Sequence, residues 1–433
     1  MNREILKLAI PNILTNLSVP LVSLVDLGLM GRMPSSAYIV AIGLGTVVFN
    51  FLYWAFGFLR MGTTGLVSQA FGKGDQAQTV NLLSRSIIIA ALIGFSLILL
   101  QNPIFELAAF LIQAEQEAFK PLEIYFSYRI YAAPATISIF VLSGWLLGMQ
   151  DSKSVLLIAV LVNGLNALLS FILVKKFGLD VDGVALGTVV AQYTGLIFAI
   201  FIIFLKHRIN FKSLKYHSFF DPQDWKEFFR VNFDIFIRTL CLILVMSFFK
   251  VKLTATGILL GAANILLFEF ITISAYGIDG FAFAAESLCG KYFGKKDGLA
   301  FLKAVRISFY WGVGLSMLLS LAYLLFGKHL LQLLTNKEDV VLLALDYLPW
   351  LIIAPLINSF AFIWDGIYIG STATKQMRNS MILATFFIFF PAFALFKNGL
   401  GNHGIWLAFS IFMFSRGLIQ TLIAKKAIFN RLR

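Results

Sequence analysis

The chain has 433 residues, of which 59% are hydrophobic and only 13% charged, with a mean hydropathy of +0.85. Soluble domains carry about 25% charged residues, so a soluble globular class is excluded, and the apolar runs are too long and unbroken for the alternating strands of an outer-membrane barrel. The net charge of +13 follows membrane topology in its distribution, which excludes a nucleic-acid-binding reading.

The composition therefore predicts an all-α integral membrane protein, since helices satisfy their own backbone groups in lipid. Apolar runs separated by short polar or Gly/Pro punctuation give twelve transmembrane helices, at 5–30, 38–69, 82–101, 121–149, 154–174, 183–205, 228–249, 256–290, 304–326, 340–370, 377–396 and 403–424. With the N-terminus inside, the termini and inner connections carry 19 Lys and Arg against 9 on the other side. The positive-inside rule then places both termini in the cytoplasm. The start reads as an uncleaved first span.

The first span carries one acid, Asp26, near its far end. On a helical wheel Asn12, Asn16, Ser23 and Asp26 fall within roughly 80° of one another, a polar stripe that leads to the acid. An ionised group within a span is a functional-site hypothesis by default. Pro11 and Pro20 put potential kinks in the same span, with Pro20 a candidate hinge beside the stripe. The second span holds Arg60 among glycines, in Gly57-Phe-Leu-Arg-Met-Gly-Thr-Thr-Gly65. Its guanidinium needs a counter-charge or carbonyls, so pairing within the first half is expected.

The longest polar connection, 206–227, is rich in Lys and Arg and divides the chain into an N-terminal lobe, 1–205, and a C-terminal lobe, 228–433. The lobes repeat. Phe71-Gly-Lys-Gly-Asp75 recurs as Phe293-Gly-Lys-Lys-Asp297 (293 − 71 = 222), and Ser143-Gly-Trp-Leu-Leu-Gly148 as Asp365-Gly-Ile-Tyr-Ile-Gly370 (365 − 143 = 222). Gly183-Val-Ala-Leu matches Gly404-Ile-Trp-Leu at 404 − 183 = 221. Six spans per repeat is an even number, so the repeats enter the membrane in the same orientation, a plan of transporters that place substrate between halves.

In the eighth span Asp279 and Glu286 lie seven apart on one face, and the tenth carries Asp365 seven after Asn358. For each acid a fixed ion pair and a proton or cation site stand equally open, with Arg129, Arg238 and Arg416 as available partners. The Gly-Lys pairs at 72, 290, 294 and 327 are followed by Gly, Tyr, Lys and His, so no phosphate-binding loop for ATP is formed. The four histidines lack metal-ligand spacing, Cys241 and Cys289 sit in apolar surroundings, and no catalytic cluster appears. Neither an enzyme nor a metal centre is expected, and no cofactor beyond a coupling ion, H⁺ or Na⁺.

Four stretches together resemble one family. Ala9-Ile-Pro11 with Val25-Asp26, Phe58-Leu-Arg-Met-Gly-Thr-Thr-Gly65, Asp279-Gly-Phe-Ala-Phe-Ala-Ala-Glu286 and Trp364-Asp-Gly-Ile-Tyr-Ile-Gly370 are similar to the multidrug and toxic compound extrusion transporters, in the branch of DNA-damage-inducible protein F. The resemblance covers essentially the whole chain. It implies two pseudo-symmetric six-helix lobes in a V-shaped arrangement and alternating access driven by proton or sodium antiport. It also implies a coupling site at Asp26 with Asn166 and Thr188 as neighbours. Ser170 stands where the family often has a second acid, which leaves Asp26 the main candidate in that lobe. Asp365, Asp279 and Glu286 form a possible second acidic site, and Arg60, Ser170, Asn16 and Pro20 are supporting residues.

The expected function is export of amphiphilic, cationic organic compounds by a secondary antiporter. Its expected partners are small-molecule substrates and the bilayer, with no nucleic acid, as a monomer in a bacterial inner membrane. A lipid-linked precursor flippase is the alternative, and it would present several basic residues to the cavity, whereas the buried charges read from sequence are mostly acidic. A membrane-embedded enzyme is the more distant alternative.

Overall fold

The computed structural model describes residues 1–30, 36–112, 116–207 and 219–432, with the backbone alone at 21–27, 29–30 and 36. All regular structure among these residues is helical. In chain order the helices are α1 (Asn2–Met30), α2 (Ser36–Ala55), α3 (Gly57–Lys73), α4 (Gln76–Leu99), α5 (Gln101–Ile112), α6 (Gln116–Arg129), α7 (Ala133–Gly148), α8 (Ser152–Lys175), α9 (Val181–His207), α10 (Pro222–Thr254), α11 (Ile258–Gly294), α12 (Gly298–Leu334), α13 (Glu338–Asp346), α14 (Leu348–Gly370), α15 (Thr374–Ile382) and α16 (Phe390–Ala427). A π-helical segment, Leu383–Phe389, joins the last two.

Among the described residues ten helical runs are long and apolar enough to cross a membrane. The 29-residue α1 adds one by its length. The last run is divided by Gly401, whose φ of 55° and ψ of −126° no helix accommodates, into two limbs. That makes twelve, as the hydropathy pattern predicts.

The duplication reappears in backbone geometry. Gly74 and Lys296 both have positive φ, 73° and 57°, and so do Gln150 and Thr372, at 65° and 48°; each pair is separated by 222 residues (296 − 74 and 372 − 150). Lys296 holds a left-handed conformation that costs a Cβ-bearing residue about 1–2 kcal/mol and a glycine nothing comparable. Asp75 caps α4 through the Gln78 amide at 2.9 Å, and Asp297 caps α12 through the Ala300 amide at 2.9 Å. The recurring Phe-Gly-Lys-x-Asp stretch is thus a turn plus an N-cap, used twice.

By packing, the chain forms two compact units. The major unit comprises Met1–Ile13, Thr64–Gly74 and Lys226–Arg433, and the minor unit Leu14–Thr63 and Asp75–Trp225. The minor unit is centred on Ile42, Phe49, Tyr125, Phe126 and Ile137. The major unit buries Phe249, Phe389, Trp406, Phe409 and Phe412, with the Phe249 and Phe409 rings stacked at 4.1 Å.

Within the major unit the ends of α3 and α11 touch reciprocally. A Cβ on Gly72 would strike the Lys291 carbonyl, one on Gly294 the Gln69 carbonyl, and one on Gly290 the Ser68 hydroxyl. The first two contacts are repeat images of each other, since 294 − 72 and 291 − 69 both equal 222, and in the third the two partners are themselves repeat equivalents, 290 − 68 being 222. Small residues let helix backbones meet. Gln69 locks this seam by donating to the Gly370 carbonyl at 2.8 Å and to the Thr372 hydroxyl at 3.1 Å.

The minor unit holds the end of the interhelical connection. Arg85 is fully buried and donates to the Phe219 carbonyl at 2.9 Å and to Asp224 at 3.0 Å, with the Trp225 ring 5.5 Å away. Most of the intervening chain, 208–218, lies outside the described residues. Asp151, between α7 and α8, accepts from the Ser154 hydroxyl, Lys206 and His207 at 2.7, 2.7 and 3.1 Å. Burial acts to raise its pKa, but bonds from His207, Lys206 and Ser154 outweigh it and hold the carboxyl well below the usual carboxylate range.

Candidate functional site

Two polar clusters lie in apolar surroundings, one in each unit. In the minor unit, Asn163 and Asn166 sit one turn apart on α8, where the helical period puts both on one side. Asn163 donates to the Ser18 hydroxyl of α1 at 2.7 Å, and Asn166 to the Thr188 hydroxyl of α9 at 2.8 Å. Thr188 in turn donates to the Val184 carbonyl at 3.1 Å. Asn166 and Thr188 are only 6% and 5% exposed, and Ser170, a further turn along, is fully buried. Gly187 makes the approach possible, since a Cβ there would come within 2.9 Å of the Ser170 backbone nitrogen.

The Asn166 side-chain oxygen and the Ser170 hydroxyl make no hydrogen bond among the described residues. Buried polar groups are normally satisfied, so these two atoms are suited to a proton, an ion or another polar side chain. The Asp26 side chain, on which the sequence reading turns, lies outside the described residues. Of its supporting residues, Asn16 is half-buried, Pro20 lies within an unbroken α1, and Arg60 is half-buried on α3. A Cβ on Gly144 would strike the Arg60 carbonyl, just as one on Gly366 would strike that of Ala282.

In the major unit the cluster is charged. Asp365 of α14 receives the guanidinium groups of Arg238, from α10, and Arg416, from α16, both on Oδ2. Its Oδ1 accepts from Gln420, one turn beyond Arg416, at 2.8 Å. The Gln420 carbonyl accepts from the Tyr368 hydroxyl at 2.7 Å. Asp365, Arg238 and Arg416 are 5%, 5% and 0% exposed. Two cations thus face one carboxylate, and Asp279 of α11 is half-buried. Glu286 is buried on the same helix.

Of the partners open to Asp365, the structure brings Arg238 and Arg416 to its carboxylate. Among the described residues the buried charges are Asp151, Asp234, Glu286 and Asp365 against Arg85, Arg238 and Arg416, so the acids outnumber the arginines by one. Arg238 and Arg416 are available partners in the sequence reading, whereas Arg85 is absent from it, because composition and spacing do not tell which basic residues turn inward.

Further residues of the major unit escaped the sequence reading. Asp234, one turn before Arg238, is 3% exposed and accepts from Arg378 at 2.6 Å and from the Thr374 hydroxyl at 3.0 Å. The signal was present as an Asp and an Arg four apart in an apolar helix. At the Gly401 break, Asn264 and Asn402 exchange amide hydrogen bonds at 2.9 and 3.0 Å, and the Trp406 indole donates to Asn264 at 3.0 Å. No cluster of three or more His, Cys, Asp or Glu able to hold a metal occurs among the described residues.

The sequence model of the MatE family matches the chain twice, at residues 11–172 and 233–395, and the two matches begin 222 residues apart (233 − 11). DNA damage-inducible protein F of Escherichia coli is 34% identical over 426 residues, covering 97% of this chain and 91% of its own. Multidrug and toxin extrusion protein 1 of Homo sapiens is 25% identical, covering 93% and 71%. A solved structure, an outward-facing conformation of a multidrug resistance MATE family transporter of the MOP superfamily, matches with a TM-score of 0.88 at 20% identity, covering 100% of this chain and 96% of that one. At that identity the last likeness concerns fold.

Proposed function

The chain belongs to the MatE family of extrusion transporters, and from that premise we propose that it is a secondary antiporter exporting amphiphilic, cationic compounds against inward flow of H⁺ or Na⁺. The coupling site is Asp26 with Asn166 and Thr188, supported by Ser170. A carboxyl group removed from water takes up a proton readily, and neutralising Asp26 would rearrange its contacts and bias α1 toward substrate release.

The observation that carries this reading is the difference between the clusters. The carboxylate of the major unit is engaged by two arginines and a glutamine and the unbonded atoms of its cluster include two arginine Nε donors, whereas the neutral cluster of the minor unit leaves the Asn166 oxygen and the Ser170 hydroxyl unbonded among the described residues. Arg238 and Arg416 are the observation that favours a flippase for anionic lipid-linked precursors, but both are already bound to Asp365. We place the protein in a bacterial inner membrane, as a monomer with both termini in the cytoplasm.

The test is uptake of ethidium into proteoliposomes under a proton gradient and, separately, a sodium gradient. Stimulation by one of them is expected. Stimulation by neither, with anionic lipid translocated instead, would overturn the antiporter.

A further inference from the structure

A cavity of about 380 Å³ lies in the major unit between α15, the start of the π-helical segment and the last two turns of α16. Its volume falls within the range of small-molecule sites, about 300–1,000 Å³. The lining is divided by chemistry. Gln376, Asn379, Ser380 and Lys426 supply polar groups, while Leu383 and Ile423 belong to an apolar wall. No carboxylate lines it.

The donors are largely unengaged. Lys426 is exposed and forms no ion pair among the described residues. The Asn379 carbonyl oxygen accepts twice from Arg378, at 3.1 and 2.9 Å, which leaves its NH₂ to donate. The nearby anion, Asp234, is held by Arg378 and Thr374. An ammonium and two primary amides therefore converge on a space whose other wall is hydrocarbon, at an end of the helices that also carries Lys375 and Lys425. A ligand that fits must bear a negative charge with acceptor oxygens and an apolar body. A basic pocket between membrane helices recognises anionic phospholipid headgroups in this way.

We propose that this cavity is a binding site for an anionic phospholipid of the phosphatidylglycerol type, with its phosphate against Lys426, Gln376 and Asn379 and an acyl chain along Leu383 and Ile423. The site is distinct from both polar clusters and does not depend on the transport reading.

The test is native mass spectrometry of the full chain in detergent, titrated separately with dioleoyl phosphatidylglycerol and dioleoyl phosphatidylcholine. Wild type should favour the anionic lipid, and Lys426→Gln should reduce that preference about five-fold, the worth of one cation near a charged membrane surface. Lys375→Gln, outside the cavity, should leave it unchanged, and Ile423→Gln should weaken both lipids. Glycerol 1-phosphate should not compete. Equal binding of the two lipids by wild type, equal effects of the two lysine variants, or full competition by glycerol 1-phosphate would each overturn the proposal.

Discussion

The Asn166 cluster of the minor unit and the Asp365 cluster of the major unit hold polar groups inside a membrane fold in different ways. The minor unit uses neutral partners, Asn163 with Ser18 and Asn166 with Thr188, and leaves the Ser170 hydroxyl unbonded among the described residues. The Asp365 cluster of the major unit uses charge, Asp365 with Arg238 and Arg416, and fills the carboxylate with Gln420, leaving the two arginine Nε groups and the Gln420 side-chain oxygen unbonded among the described residues. Duplication supplied one backbone plan, and the contents of the two copies have diverged. The position equivalent to Asp365 is Ser143 (365 − 222), and that equivalent to Asp26 is Phe248 (26 + 222). A charged cluster with its partners in place is rigid and costly to break. A neutral cluster with unused capacity can exchange a proton or ion.

That contrast is open to attack by mutation. The largest effect is expected for Asp365→Asn, which leaves two buried guanidinium groups without their anion and should cost about 3–5 kcal/mol. Thermal unfolding in detergent, read by size-exclusion chromatography, should show a sharp loss of monodisperse protein. Replacing the whole cluster with Arg238→Met, Asp365→Leu and Arg416→Met should recover most of that stability, because buried ion pairs are often matched by apolar residues of similar volume. Failure of the triple variant to recover would mean that the charges do more than pair with each other.

A smaller effect is expected in the neutral cluster. Asn166→Ala removes one hydrogen bond, worth about 1 kcal/mol, while Thr188 keeps its bond to the Val184 carbonyl. Stability should fall slightly and gradient-driven transport much more. Equal losses of both would make this cluster structural, like its charged counterpart.

The smallest effect concerns Asp151, whose charge partners lie outside the spans. Its folded pKa is depressed below the ordinary value of 3.8, so the unfolded chain takes up the proton first. The stabilisation is present above that value and lost as pH falls below it. Unfolding curves of wild type should therefore weaken in acid, and Asp151→Asn should lack that part of the pH dependence. An identical acid limb in the two proteins would contradict the assignment.

Much of the fold was legible because lipid imposes strong rules. Twelve spans followed from hydropathy, and the 222-residue register found in Phe71–Asp75 and Phe293–Asp297 reappears as paired positive-φ residues and paired Asp caps. Family likeness implies Asn166 and Thr188 as neighbours of Asp26; the two bond to each other, and the Asp26 side chain lies outside the described residues. Arg238 and Arg416 were legible as available partners of Asp365 beside Arg129, but the choice among them was not, because they lie 127 and 51 residues away and helical periodicity does not say which faces of distant helices meet. Asp234 was missed for the same reason, its partner Arg378 being 144 residues distant. The reciprocal seam at Gly72 and Gly294 was visible only as glycine in a repeat, since its meaning lies in the contact.

The central claim is that coupling runs through the neutral cluster and α1, while the charged cluster maintains the fold. Ethidium transport by Asp26→Asn in proteoliposomes, under the gradient that drives wild type, tests it most directly. The account predicts that gradient stimulation is abolished while the variant inserts, folds and binds ethidium as wild type does. Full stimulation of transport in Asp26→Asn would contradict it.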